Sequence, residues 1–222
     1  MKPFLNDILA REEIRQYSYF LLSKSYSIPE KNTLMYVAHL ENLATCEFSE
    51  ATIHASEMGE ELKNMDGVES LKVDYSKLFI GPFSLLVPPY GSMYLEEGRK
   101  IMGDSTLDVR NRYKEVGVDI SVAFKEPPDH IVAELEFMHY LIIKEIEAIK
   151  KGDLKKAIQY LKKQKGFLMT HLGVWIFEFT SNIEAKAETQ FYKHLAKFTK
   201  IFFKKDRDDI LETSLTELLN NS

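Results

Sequence analysis

Apolar residues recur at steps of three and four through most of this 222-residue chain, which is the spacing of one face of an α-helix. The longest stripe follows Asp129 and continues to Ile149. Because no long stretch alternates with a period of two, no sheet is predicted. The pattern predicts an all-α fold, a single-domain bundle of about nine to ten helices over residues 1–222. The predicted helices cover 7–26, 29–45, 49–65, 68–80, 105–117, 130–151, 153–165, 171–185, 188–204 and 208–219.

Proline and glycine mark two irregular connectors between these helices. The first spans about residues 81–104 and contains three prolines and four glycines. The second spans about residues 118–128. Asp66-Gly67 and Gly81-Pro82 are predicted to end the helices that precede them, because neither glycine nor proline favours a continuing helix.

Several short polar residues stand where helix N-caps are expected. Ser49, Asp129 and Asp153 each precede an apolar stripe, and their side-chain oxygens can accept hydrogen bonds from free amides of the first turn. Ser105 and Asp108 have the spacing of a capping box. The sequence therefore predicts helix starts at these four places.

Charge is spread unevenly along the chain. Residues 1–140 contain 14 basic and 23 acidic side chains, whereas residues 141–222 contain 15 and 11, so the two parts carry net charges of −9 and +4. The lysines between 150 and 165 alternate with apolar residues, which is typical of the solvated face of an amphipathic helix. No nucleic-acid partner is predicted, and the acidic part favours a basic partner.

One cysteine, Cys46, excludes a disulfide framework, and a reducing cytoplasmic setting is the simplest interpretation. Cys46 is predicted to be a buried structural thiol, since no His or Lys lies near it in the sequence. The first residues lack the apolar core of a signal peptide. No apolar run approaches the roughly 18 residues that span a membrane, so neither export nor membrane insertion is predicted.

Catalytic and metal-binding motifs are weak in this chain. Glu136-x-x-His139 matches one of the two ligand pairs that a carboxylate di-iron site needs besides two further Glu residues, but a second such pair is missing from the sequence, so His139 is predicted to be a partly buried core residue. Neither a Gly-x-Ser-x-Gly elbow nor a phosphate-binding loop is present. The sequence predicts a protein that is not an enzyme and needs no cofactor.

A binding surface has stronger support in the sequence. Tyr75, Leu78 and Phe79 share one face of a predicted helix. Residues 85–95 that follow are strongly apolar, yet their prolines and glycines prevent a regular helix. Such a segment suits the wall of a groove, and it suits equally a loop whose side chains pack onto the core.

The segment Glu126-Pro127-Pro128-Asp129-His130 joins a connector to the longest helix. The two prolines restrict the backbone, so Glu126 and His130 are predicted to lie on a stiff corner that could bind a cationic group. The alternative is an ordinary helix start. On these five residues alone the helix start is the simpler interpretation, because capping explains Asp129.

Tyr75-x-x-Leu78-Phe79 resembles the Tyr/Trp-x-x-Leu-Phe motif of the TorD/DmsD/NarJ family of redox-enzyme maturation chaperones. Glu126-Pro127-Pro128-Asp129-His130 resembles the Glu-Pro-x-Asp-His motif of that family. The two motifs occur in the same order and at a similar separation, and the resemblance covers about residues 10–145. This chain has Tyr75 and Tyr90 where some members carry tryptophan, which affects ligand preference.

The resemblance implies a cytoplasmic, non-enzymatic chaperone that binds the N-terminal leader of a molybdenum or tungsten oxidoreductase catalytic subunit. For many clients this leader is a twin-arginine signal peptide, and the chaperone assists cofactor insertion and assembly before export. Guanine-nucleotide binding is associated with the family, and either a monomer or a homodimer is compatible with the sequence. The alternatives are a structural helical subunit of a larger complex and a nucleotide-binding protein.

The resemblance also implies which residues bind the leader. Glu126 and Asp129 are expected to contact its basic part, and His130 is expected to bond to Glu126. The expected apolar contacts are Tyr75, Leu78, Phe79, Pro88 and Tyr90, and Pro89 and Pro127 complete the expected peptide-binding set.

Overall fold

The computed structural model describes residues 3–64, 68–81 and 85–221. The α-helices are α1 (Pro3–Ser25), α2 (Thr33–Glu47), α3 (Ser49–Asn64), α4 (Glu69–Tyr75), α5 (Ser92–Leu95), α6 (Asp104–Lys114), α7 (Ile131–Lys150), α8 (Leu154–Thr170), α9 (Leu172–Lys186), α10 (Gln190–Lys205) and α11 (Leu211–Asn221). The π-helical turn Ser76–Ile80 follows α4. A second π-helical turn, Asp206–Ile210, joins α10 to α11. The residues described contain no strand, and the predicted all-α class is confirmed.

Helix α7 lies at the centre of the bundle because most of its side chains are apolar and buried. It packs against α1 and α8, while α10 packs against α3 and α9. Helix α2 contacts both α1 and α3. The buried apolar side chains of these helices belong to one cluster. One domain over residues 1–222 stays a prediction, which this shared core supports.

The helical chain continues where the sequence predicts a break between residues 204 and 208. The π-helical turn Asp206–Ile210 spans this position and buries the Asp206 carboxylate. Asp206 pairs with the buried guanidinium of Arg15 and accepts a hydrogen bond of 2.7 Å from the Tyr19 hydroxyl. The break is therefore a wrong prediction, because Asp206 pairs with a buried cation of α1 while Asp208 and Asp209 stay exposed on a continuing helical turn.

The connector predicted over residues 81–104 is partly helical, since it contains α5. Its Glu96 carboxylate accepts hydrogen bonds of 2.7 Å from both the amide and the hydroxyl of Ser105. Ser105 thus lies inside α6, whose N-cap is Gly103, and the predicted capping box is wrong. The acceptor for the Ser105 amide is therefore Glu96 of the connector, whereas the capping-box pattern predicted Asp108 of the same helix.

Most other predicted boundaries fall close to the observed ones, although α8 continues to Thr170 instead of ending at Lys165. Gly117 and Gly152 have positive φ angles of 78° and 76° beyond the ends of α6 and α7. Asp153 caps α8 by accepting from the Lys156 amide at 3.0 Å, as predicted. Ser49 is the first residue of α3 rather than its cap. The predicted break at Asp66-Gly67 and the residue Pro82 lie outside the described residues.

Three predictions about the exposure of side chains have different outcomes. The lysine-rich face of α8 is solvated, as predicted. His139 is partly buried, also as predicted, and its Nδ1 lies 2.9 Å from the Gln16 carbonyl oxygen and 3.1 Å from Gln16 Nε2. Cys46 is exposed, because α2 buries the face that carries Ala44, so its predicted burial is wrong. Within the ranges given above, none of the helices is both long and apolar enough to cross a bilayer.

Candidate functional site

Two segments, residues 88–92 and 126–131, meet beside the start of α7, and we call them the proline corner. Two backbone hydrogen bonds of 2.8 Å pair the segments in antiparallel fashion. These bonds run from the Gly91 amide to the Asp129 carbonyl and from the Ile131 amide to the Pro89 carbonyl. Each segment also contains two adjacent prolines, whose φ angles are restricted. The corner is consequently a stiff part of the backbone, in which hydrogen bonds hold the two segments together.

The Asp129 side chain binds the segment 88–92 rather than the first turn of α7. Its side chain is buried, and Oδ2 accepts a hydrogen bond of 2.8 Å from the Ser92 amide at the start of α5. The N-cap of α7 is His130, whose Nδ1 accepts from the Val132 amide at 3.2 Å. The prediction that Asp129 caps α7 is therefore wrong, because a partner 37 residues away takes its carboxylate.

The imidazole of His130 is enclosed by aromatic rings. The ring centroids of Tyr90 and Phe124 lie 5.5 Å and 5.6 Å from it, both in edge-on orientation. Burial lowers the pKa of His130 to about 4, so the ring is neutral at pH 7 and its Nδ1 can act as an acceptor. The predicted hydrogen bond between His130 and Glu126 is wrong, since neither described side chain has the other as a partner.

Glu126 is the exposed carboxylate of the corner. The Tyr90 hydroxyl donates a hydrogen bond of 2.8 Å to its Oε2. Burial and this bond together raise the pKa of the Tyr90 phenol, which stays a donor at neutral pH. In the part of the chain described, Tyr90 is the hydrogen-bonding partner found for this carboxylate, so Oε1 is open to solvent and to a cationic ligand.

A buried polar pair supports the corner from below. The Trp175 indole donates a hydrogen bond of 3.0 Å to Glu134, whose pKa is raised well above its ordinary value by burial. The Tyr94 ring stacks on Trp175 with a centroid distance of 5.5 Å, and its hydroxyl donates to the Pro88 carbonyl. Gly91 leaves room for this pair, because a Cβ there would lie 2.9 Å from the indole nitrogen.

The first motif faces the core. Tyr75 and Phe79 have exposed fractions of 7% and 4%, and Leu78 is fully buried. The Phe79 ring contacts Tyr75, Phe179 and Tyr192 at centroid distances of 5.1 to 6.0 Å. Leu78 and Phe79 lie in the π-helical turn that follows Tyr75, and both are buried there. They shape the core beside the corner and do not line an open groove in this conformation.

The predicted binding residues thus divide into a buried group, which stabilises the fold, and an accessible group, which a ligand can contact. The buried group is Tyr75, Leu78, Phe79, Pro89, Asp129 and His130, and the accessible group is Pro88, Tyr90, Glu126 and Pro127. The structure brings the second motif and residues 88–92 into one corner.

Sequence reasoning missed Trp175, Phe124 and Tyr113, which contact the corner from outside the two motifs. The Tyr113 hydroxyl donates a hydrogen bond of 2.8 Å to the Pro128 carbonyl. The only available signal for Trp175 was that the chain has one tryptophan. A search over residues 3–64, 68–81 and 85–221 finds no group of three or more side chains able to hold a metal ion.

Comparison with known proteins places this architecture in a family. The family model described as nitrate reductase delta subunit matches residues 44–181, which is more than half of the chain. The solved structure of a putative redox enzyme maturation protein from Archaeoglobus fulgidus superposes with a TM-score of 0.51 and 27% identity. That match covers 86% of this chain and 93% of the other.

Relatives of this chain carry chaperone names. The chaperone protein TorD of Aliivibrio salmonicida is 24% identical over 213 residues, covering 91% of this chain and 97% of the relative. The Tat proofreading chaperone DmsD of Salmonella typhi is 42% identical over 67 residues, which is 30% of this chain and 33% of that protein. The resemblance seen in the sequence is confirmed, and the chain belongs to the TorD/DmsD/NarJ family of redox-enzyme maturation chaperones.

Proposed function

We propose that this protein is a cytoplasmic chaperone that binds the N-terminal, twin-arginine leader of a molybdenum or tungsten oxidoreductase subunit. In this role it assists cofactor insertion and assembly before the client is exported. Family membership supports the chaperone class. The observation that carries the assignment of the site is the exposed Glu126 carboxylate, which Tyr90 orients on a cross-linked backbone corner.

The chemistry of the leader matches this carboxylate. A guanidinium group can donate two parallel hydrogen bonds to a carboxylate, and such charge-assisted bonds are stronger than neutral ones. Glu126 already accepts one hydrogen bond from Tyr90, and this bond restricts the orientations that the side chain adopts. A preorganised carboxylate loses less conformational entropy when an arginine binds.

The apolar part of the leader needs an apolar wall, and the accessible residues Pro88, Tyr90 and Pro127 supply one beside Glu126. Exposed Leu86 extends this wall along the connector. Under this proposal the buried motif residues Tyr75, Leu78, Phe79, Pro89, Asp129 and His130 position the wall. Their substitution would weaken binding mainly through the fold.

The first test identifies the client. Tagged protein is expressed in its native cytoplasm, and the captured chains are identified by mass spectrometry. We expect a molybdopterin-type oxidoreductase subunit that carries its leader. Capture of a stoichiometric complex without such a subunit would overturn the proposal and favour a structural subunit.

The second test concerns the site. Glu126→Gln keeps the shape of the side chain and removes its charge, and Glu97→Gln makes the same change at another exposed position. Because a hydrogen bond to a charged group contributes about 1.5–3 kcal/mol, we expect Glu126→Gln to weaken binding of a labelled Arg-Arg leader peptide about tenfold or more. Equal affinities of both variants and the parent protein would remove Glu126 from the site.

A further inference from the structure

A pocket of about 260 Å³ lies next to the proline corner, between the second connector and the first turns of α7. Its floor is made by the rings of Tyr113 and Phe137, whose centroids are 4.5 Å apart. Val118, Ile120 and Phe124 form the outer wall. The pocket is therefore mainly apolar, and its wall belongs to the same connector that leads to Glu126.

Residues that line the pocket contact the corner directly. Phe124 lines the pocket and also contacts the His130 ring of the corner. Tyr113 lies in the floor and bonds to the Pro128 carbonyl. Phe124 and Glu126 are two residues apart, so their Cα atoms lie within about 7 Å of each other. One extended ligand can reach both features at once.

We propose that this pocket binds an apolar side chain of the same client leader whose arginine pairs with Glu126. The inference rests on the proposed function and adds a second anchor point to it. Because the two features are close, the apolar residue would lie within a few positions of the arginine.

Size and position favour this occupant over others. Pockets for whole small molecules usually measure about 300–1,000 Å³, so 260 Å³ suits a single large side chain better. The acidic residues among those lining the pocket, Asp119 and Glu136, already pair with Arg110 and Lys24 at 3.4 Å and 2.9 Å. The occupant is therefore assigned from the apolar lining and from the short distance to Glu126 rather than from the charge of the rim.

Filling the pocket tests the inference. Ala133 lines the pocket from α7, and Ala133→Leu adds three carbon atoms there. Ala123→Leu adds the same atoms at an exposed position of the connector outside the lining. Labelled synthetic peptides with an Arg-Arg pair and a following apolar run are compared with peptides in which each apolar residue in turn is alanine.

We expect one alanine peptide to bind the parent protein at least tenfold more weakly than the unsubstituted peptide. In Ala133→Leu this difference should vanish, because the anchor no longer enters the pocket, whereas Ala123→Leu should retain it. Ser121→Trp blocks the mouth of the pocket from the connector and replaces Ala133→Leu if that variant fails to fold.

The outcomes separate the two proposals. If Glu126→Gln weakens binding and the pocket variants do not, the second anchor is wrong and the proposed function stands. If the parent protein binds none of the peptides, both the proposed function and the second anchor are wrong. Self-association of the parent that disappears in Ala133→Leu would assign the pocket to a second copy of this chain and overturn the inference.

Discussion

The Tyr90 hydroxyl donates a hydrogen bond of 2.8 Å to the carboxylate of Glu126, which lies 36 residues further along the chain. This side-chain bond links the two segments of the proline corner at the surface, in addition to the two backbone hydrogen bonds between them. It places an oriented carboxylate next to an aromatic ring. The pair is the part of the proline corner best suited to meet an arginine of a ligand.

Tyr90→Phe removes this hydrogen bond and keeps the ring. The fold should be retained, while binding of an Arg-Arg leader peptide should weaken roughly fivefold, because one hydrogen bond contributes about 1 kcal/mol. Fluorescence anisotropy measures the change. Tyr36→Phe in α2 is the control, since this half-buried tyrosine lies outside the corner. Equal affinities would show that Tyr90 does not orient the carboxylate.

Gly91→Ala should lower the free energy of unfolding by about 1–3 kcal/mol. A Cβ at this position would lie 2.9 Å from the Trp175 indole nitrogen and 3.1 Å from Glu134 Oε1, so the buried pair must move. Urea denaturation measures the loss. Gly59→Ala in α3 is the matched control, because its Cβ would meet only Val37, at 3.9 Å. The control should be stabilised by about 0.5–1 kcal/mol, and a similar gain at Gly91 would contradict the observed packing.

Asp129→Ala should lower the free energy of unfolding by about 1–3 kcal/mol, because the Ser92 amide loses its acceptor. Asp129→Asn retains an acceptor oxygen and should lose less. Hydrogen exchange distinguishes this role from helix capping. Exchange should accelerate at the Ser92 amide and stay slow at Val132, whose acceptor is His130. Faster exchange at Val132 alone would restore Asp129 as the cap of α7.

His130 should make stability depend on pH below neutrality. Its pKa falls from an ordinary 6.5 to about 4 in the folded protein, so the unfolded chain binds a proton more readily. This contribution to stability is complete above about pH 6.5 and is lost as the pH falls towards 4. The difference corresponds to about 3 kcal/mol.

His130→Asn removes the titrating ring and retains a side-chain acceptor suited to an N-cap. Chemical denaturation between pH 7 and pH 4 should therefore show a steeper loss of stability for the parent protein than for this variant. Comparing the two cancels the carboxylates that titrate in the same range. Parallel pH profiles would mean that His130 is accessible to protons in the folded state.

The elements of this fold could be predicted because helix formation depends on neighbouring residues. The stripe that continues to Ile149 predicted the central helix, and Gly152 with Asp153 predicted the boundary after it. Such signals act over three or four residues, which is the range of helical hydrogen bonds. The same locality explains why the two family motifs were recognisable.

The partners of polar side chains could not be predicted in the same way. Asp129 has the sequence context of a helix cap, yet its carboxylate bonds to Ser92. Asp206 stands between two helices that the sequence predicts to be separate, yet it pairs with Arg15 in the core. Each assignment depends on which distant group lies within hydrogen-bonding distance after the helices have packed.

The sequence by itself determined the all-α class, most helix boundaries, the family motifs and the segment that carries Glu126. The tertiary structure decided which motif residues are buried, that His130 caps α7, and that Phe124 and Tyr113 build a pocket beside the corner. The physical reason is the range of the interactions. Hydrophobic periodicity and capping are local, whereas burial and hydrogen-bond partners arise only when segments far apart in the chain come into contact.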